Sequence, residues 1–392
     1  MLSKKNSKIS SSITLSITAK AKKMKNEGED VISFGAGEPD FNTPKNIRDA
    51  AIKVIEGGQI GYTASSGLPE LKRVICDKFY RDNRLDYEIE NIVVSNGAKH
   101  ALFNTFQAIC NEGDEIILPI PYWVSYPELV KMAGAKPVLV ETREEDGFKY
   151  TKERLLNAIN KNTKAILLNS PNNPTGTVYG KEELQEIAEI AVENGIYIIS
   201  DEIYEKLIYS GRHISIASLG DKIKDLTIVI NGVSKCYAMT GWRIGYAACN
   251  KEIAKIMTNI QSHATSNPNT VAQYASIEAL SGNQDAIDKM VDAFIHRRDY
   301  MVKKVNSINN LSCRRPEGAF YVMVNISKII GKKLNGTEIK GSMDFAQYLL
   351  DTVKVAVIPG IGFGNDNYIR LSYATGLENI KEGLKRIEEA IK

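Results

Sequence analysis

Seven short apolar runs constrain this chain more than any other feature. They are Ile92-Val93-Val94, Glu115-Ile116-Ile117-Leu118, Pro137-Val138-Leu139-Val140, Ala165-Ile166-Leu167-Leu168, Ile196-Tyr197-Ile198-Ile199, Thr227-Ile228-Val229-Ile230 and Ile244-Gly245-Tyr246-Ala247. Each is bounded by turn residues and lacks polar alternation. That pattern predicts strands buried on both faces of a mostly parallel sheet. Longer periodic stretches separate them, such as Lys181 to Asn194, which starts polar and stops at Gly195 as a helix C-terminus does. The fold class is therefore α/β, a large domain whose sheet is sandwiched by helices.

Beyond about residue 280 the texture changes. A helical stretch from Asp285 to Asn306 leads into Gly318-Ala319-Phe320-Tyr321-Val322, a helix near Met343 to Asp351, and Val355-Ala356-Val357-Ile358-Pro359-Gly360. This reads as a smaller α+β domain. The expected division is a large domain over 45–284, with 1–44 and 285–392 forming the small one and the boundary running inside a helix.

Charge narrows the function classes. Fifty basic residues against 47 acidic ones leave a net charge of +3, which gives no reason to expect nucleic acid or an anionic membrane as partner. Cys76, Cys110, Cys236, Cys249 and Cys313 are odd in number and share no C-x-x-C spacing, so a reducing, cytoplasmic setting fits better than a disulfide framework. His100, His213, His263 and His296 show no metal-ligand spacing, and no metal is expected. No apolar run approaches the roughly 20 residues that cross a bilayer. Met1 to Asn26 holds seven lysines and no acid, a composition that an address label can have. It lacks arginine, however, and Ile9, Ile13 and Ile17 recur every fourth residue, which predicts a helix packed on its own protein.

In a parallel sheet, chemistry gathers in the loops after the strands' carboxyl ends. Here these hold Ser95-Asn96-Gly97, Asn169 to Asn173, Ser200-Asp201-Glu202 and Asn231 to Lys235, which are expected to converge on one edge. Lys235 would ordinarily be a solvated lysine. Eight residues on, Arg243 sits among glycines in Met239 to Gly245, suggesting an anion near the lysine. A neighbouring cation and desolvation both favour the neutral amine that a nucleophilic lysine needs. Asp201 either caps a helix or pairs with a cation such as a protonated ring nitrogen, and Tyr204 lies three residues further on. Gly97, Ala98 and Lys99 stand where a strand gives way to a helix, whose first N–H groups can cradle an anion. No G-x-G-x-x-G or G-x-x-x-x-G-K-[ST] occurs, which disfavours dinucleotides and nucleoside triphosphates. Asn173 lies between two prolines in a turn-rich loop, and Arg370 interrupts an apolar strand, where it faces an internal acid or awaits a carboxylate.

Taken in order, these segments resemble the fold-type I pyridoxal-phosphate (PLP) aminotransferases of class I/II, and most closely their bacterial aspartate aminotransferase branch. The resembling stretches include GAGEPDF at 35–41, GYTASSGLPELK at 61–72, LNSPNNPTGTVY at 168–179, NGVSKCYAMTGWRIGYA at 231–247 and RLSYAT at 370–375. The resemblance spans nearly the whole chain and implies PLP held on Lys235, which then moves the substrate's proton. Asp201 would pair with the ring nitrogen, Asn173 and Tyr204 with the ring oxygen, and Trp123 would stack on the ring. Arg243, Gly97, Ala98, Lys99 and Ser234 would hold the phosphate, helped by Tyr62 from the second subunit of a homodimer. Arg370, Asn173, Trp123 and Gly37 would take the substrate's α-carboxylate end.

Two positions depart from the pattern. Gly232 stands where many relatives carry a phosphate-binding serine, with Ser234 placed to compensate, and Tyr126 stands where some have a histidine behind the aspartate. For the substrate, the resemblance points to Lys99, Ser12 and Thr14 as readers of a distal carboxylate, hence to aspartate and 2-oxoglutarate. Relatives acting on prephenate place a lysine near position 10, where this chain has Ser10. The alternatives are transamination of prephenate, alanine, methionine or aromatic amino acids, or carbon–sulfur β-elimination.

Overall fold

In the computed structural model, residues 9–58 and 60–392 are described. Lys4, Lys5 and Lys8 of the basic N-terminal segment lie outside them. All seven apolar runs are strands: β1 (Ile92–Ser95), β2 (Glu115–Ile120), β3 (Lys136–Glu141), β4 (Thr163–Asn169), β5 (Tyr197–Asp201), β6 (Thr227–Gly232) and β7 (Gly245–Ala248). They form one sheet in the order β1-β7-β6-β5-β4-β2-β3. Every neighbouring pair is parallel except those of β7, which runs antiparallel to both β6 and β1.

Burial on both faces holds for the central strands and fails for β3. Leu139 there is 46% exposed, and only Val140 of the strand is buried. Edge position alone does not explain this, since β1 at the other edge is buried at every residue; a four-residue apolar run does not report what covers its strand. The helix Lys181–Asn194 ends on Gly195 at φ 63°, the left-handed C-cap that its glycine suggested.

The N-terminal helix spans Ile13–Asn26 and buries Ala21 and Met24. Ile9 precedes it, contrary to the four-residue spacing, because the Ser12 side chain accepts the Leu15 N–H at 3.3 Å and starts the helix there. A second sheet, in the order β10-β11-β9-β8, is built from β8 (Ser312–Cys313), β9 (Tyr321–Asn325), β10 (Ile358–Pro359) and β11 (Tyr368–Ser372). The long helix Asp285–Val305 buries Met290, Phe294, Met301 and Val305 in the core beside β9 and β11. All five cysteines are free. Among the described residues no helix is long and apolar enough to cross a membrane.

Candidate active site

The strand ends meet as expected. Ser95, Gly245 and Gly232 lie in register across β1, β7 and β6. Because β7 is antiparallel, its amino end, and therefore Arg243 just before it, reaches the edge where the other strands end. Close backbone packing makes this possible. A Cβ at Gly245 would collide with the Ala98 nitrogen, and one at Gly232 would lie 2.9 Å from the Gly245 Cα. The second contact explains why glycine rather than serine stands at 232: a side chain there has no room.

A cavity of about 290 Å³ opens on this edge. It is lined by Ser12, Thr14, Gly37, Ala98, Lys99, Trp123, Asn173, Asp201, Tyr204, Ser234, Lys235, Arg243 and Arg370, all candidates from the sequence, and also by Tyr126, Asn169 and Tyr321. Two candidates lie apart. Gly97 is buried and Tyr62 is 93% exposed, and neither lines the cavity.

Lys235 directs its amine at the Gly37 carbonyl, 2.6 Å away. Its side chain keeps some exposure toward the cleft but is closely surrounded. Burial pushes the ammonium down to about 8; Glu38 opposes this, Arg243 and Arg370 add to it, and Asp201 opposes it again. A substantial neutral fraction near physiological pH follows.

Asp201 is 4% exposed. Its carboxylate accepts the Tyr126 hydroxyl at 2.7 Å and the Ile203 N–H at 3.2 Å. Burial raises its pKa to about 6, against the lowering effect of those two bonds. Among the described residues it has no ion-pair partner, so a cationic ring nitrogen suits it. The Asn169 amide donates to the Asp201 carbonyl at 2.9 Å and its oxygen accepts the Asn173 N–H at 2.8 Å. The asparagine loop is thereby tied to the end of β5.

Gly97 has φ +86° and opens the helix Ala98–Ile109 with no side-chain cap. The first N–H groups of any helix lack intrahelical acceptors, which leaves a cradle for an anion. A Cβ on Gly97 would strike the Arg243 guanidinium. Arg243 is held by the Thr240 carbonyl at 2.8 Å. Lys99 is exposed overall, yet its ammonium lies 4.9 Å from the Trp123 ring centroid. Burial and Arg243 lower its pKa. It is not the plain solvated lysine that a first-turn position allows.

Arg370 is 2% exposed and has no acidic partner among the described residues. One terminal nitrogen donates to Asn173 Oδ1 at 2.9 Å, the other to the Gly35 carbonyl at 3.3 Å, while Nε has no partner. Burial lowers its pKa. Of the two readings of this arginine, the internal acid is eliminated. Thr14, which also lines the cavity, has its Oγ1 buried with no partner among the described residues.

Glu202, Glu205 and His213 bring ligand-type atoms within 4.8 Å of one another. Their oxygens are already engaged. Ser200 and Ser215 donate to Glu202 at 2.8 and 2.7 Å, His213 Nε2 lies 2.8 Å from it, and Lys78 pairs with Glu205. This is an internal ion-pair network behind Asp201.

Tyr321 escaped notice in the sequence because its run read only as a strand. Tyr126 stood out as a departure, and the geometry shows its hydroxyl bonded to Asp201. A hydroxyl-bearing aromatic three residues after Trp123 was the available signal.

Comparison with known proteins identifies the family. Residues 29–387 match the family model described as aminotransferase class I and II. The aspartate aminotransferase of Bacillus sp. (strain YM-2) is 54% identical, with 97% of this chain and 96% of that protein covered. A protein of Aquifex aeolicus (strain VF5) called a probable aspartate/prephenate aminotransferase is 45% identical, covering 100% of this chain and 98% of its own. The crystal structure of the aspartate aminotransferase from Rhizobium meliloti superposes with a TM-score of 0.96 at 43% identity, covering 100% of this chain and 98% of that one.

Proposed function

The chain belongs to the class I and II aminotransferases, and from that premise we propose that it moves the amino group of aspartate to 2-oxoglutarate with PLP as cofactor. The observation that carries the reading is Lys235: an amine of lowered pKa in a cavity that also holds Asp201, Arg243 and an arginine with no acid.

The residues present fit the cofactor. Asp201 supplies a buried carboxylate for the ring nitrogen. Ala98, Lys99, Ser234 and Arg243 supply donors for a phosphate, while the Gly97 N–H is spent on the Ser95 carbonyl at 2.8 Å. Tyr204 and Asn173 supply donors for the ring oxygen; Asn173 accepts from Arg370 through Oδ1, so its amide hydrogens remain free. When bound, PLP supplies an electron-accepting ring that stabilises negative charge at the substrate's α-carbon. Lys235 Nζ takes the proton from that carbon, for which a pKa near 8 suits neutral pH. Arg370 orients the α-carboxylate through two parallel hydrogen bonds.

A second carboxylate distinguishes aspartate and 2-oxoglutarate from most amino and oxo acids. Lys99, Ser12 and Thr14 line the same cavity and are the groups to receive it. Thr14 Oγ1, buried and unpartnered, supports that assignment. The Ser12 oxygen caps a helix, which leaves its O–H as a donor. Prephenate is the second reading, favoured by the name of the Aquifex aeolicus relative. Tyr62, exposed on its own chain, is offered to a second subunit's phosphate site in a homodimer.

A steady-state comparison of amino donors with 2-oxoglutarate tests the proposal. Aspartate is expected to give the highest kcat/KM, and a preference for another donor would overturn it. Pyruvate and ammonia formed from cysteine-type substrates without an acceptor would point to β-elimination instead. Lys235→Ala is expected to abolish turnover; transamination by that variant would remove the lysine from its role.

A further inference from the structure

Tyr321 lines the cavity between two groups with separate tasks. In the β9–β11 ladder Tyr321 pairs with Ser372, and Met323 pairs with Arg370. Tyr321 and Arg370 are therefore diagonal neighbours on one face of the sheet. The Arg370 Cζ lies 4.3 Å from the Tyr321 ring centroid, and the Tyr321 hydroxyl lies 3.1 Å from the Tyr204 hydroxyl. Among the described residues Tyr204 is the hydroxyl's sole hydrogen-bond partner.

Each phenol has one proton, so the direction of that bond matters. If Tyr204 donated to Tyr321, its proton would be committed inside the protein. If Tyr321 donates, the Tyr204 proton is free to point into the cavity. Burial holds both phenols protonated, Tyr204 well above the usual value. The guanidinium needs a platform too. With Nε unpartnered and no acid paired with it among the described residues, Arg370 is held by Asn173, the Gly35 carbonyl, and the aromatic rings of Tyr321 and Phe363.

Resting on the reading of this cavity as a PLP site, we propose that Tyr321 is a positioning residue that serves both ends of it. Its hydroxyl turns Tyr204 toward the cofactor's ring oxygen, and its ring face holds Arg370 in the plane that meets the substrate α-carboxylate.

Two variants of the PLP-loaded enzyme separate these tasks, because Tyr321→Phe removes only the hydroxyl and Tyr321→Leu removes the ring as well. The readouts are the pH titration of the bound cofactor's absorption band, and KM against kcat for aspartate and 2-oxoglutarate. Tyr321→Phe weakens donation by Tyr204 to the ring oxygen, so the titration midpoint is expected to rise by roughly 0.3 to 0.5 pH unit. Its KM values should stay within about twofold of wild type, whereas Tyr321→Leu should raise both roughly five- to thirtyfold. An unmoved midpoint in Tyr321→Phe, or KM values raised as far as in the leucine variant, would overturn the proposal. Should Tyr321→Leu not fold, the isosteric phenylalanine variant decides alone. A wild-type protein with no cofactor band would overturn the underlying reading as well; a band present but unmoved overturns only this inference.

Discussion

If Arg370 holds the substrate as proposed, replacing it with methionine should weaken catalysis severely while changing stability little, since a charge buried without an acid costs the fold more than it returns. The fold gains from Arg370 a stacking contact with Tyr321, of about 2 kcal/mol when desolvated. Losing the Asn173 bond would leave a buried oxygen unsatisfied, costing about 1–3 kcal/mol. Against this, a guanidinium that is 2% exposed and lacks an acid carries a desolvation penalty of several kcal/mol. The opposed effects should leave Arg370→Met within about 3 kcal/mol of wild type. Unfolding entropy for 392 residues is about 0.8 kcal/mol per kelvin, so the melting temperature should move by less than about 4 °C. The catalytic loss is larger. Two charge-assisted bonds to a carboxylate at about 1.5–3 kcal/mol each predict a fall in kcat/KM of roughly 10²- to 10⁴-fold. Thermal melting of the cofactor-free protein and steady-state kinetics measure the two effects. A melting temperature lower by more than about 8 °C would mean that Arg370 is structural. A kcat/KM within about tenfold of wild type would mean that it does not hold substrate.

Other perturbations test the rest of the site. Gly97→Ala places a side chain at φ +86° and against the Arg243 guanidinium, so PLP affinity should fall at least about tenfold in a binding titration, at a folding cost of about 1–2 kcal/mol; unchanged affinity would remove this turn from the phosphate site. Gly232→Ser should cost about 1–3 kcal/mol by overpacking against β7, read by melting; a stable variant would show that the backbone yields there. Asp201 has its folded pKa raised to about 6 from 3.8, so the native protein binds the extra proton and stability from this group is lost as pH rises between those values. Asp201→Asn should thus stabilise the cofactor-free protein at pH 7 by at most about 3 kcal/mol, an advantage that fades as pH falls from about 6 and is gone below about 4. Its PLP affinity should fall at the same time, and a pH-independent stability difference would contradict the assigned shift.

The sequence alone determined the strands, the edge on which their loops gather, and most of the cavity's lining. Short apolar runs ending in Asn96, Asn169, Asp201 and Lys235 carry that information locally, since a strand's carboxyl end and the turn after it lie a few residues apart. Lys235 and Asp201 were legible for this reason, Arg370 because it interrupts an apolar strand, and the resemblance to a family added Trp123, Gly37, Ser12 and Thr14. Tertiary structure decided what depends on pairing. The antiparallel direction of β7 brings Arg243 to the site, and of the two edge strands β1 is covered while β3 exposes Leu139. The register between β9 and β11 sets Tyr321 under Arg370, which among the described residues is left without an acid. Direction, edge and register are relations between segments far apart in the chain. Side-chain patterns within one segment report its own burial, not the identity of the residue that a distant strand will bring beside it.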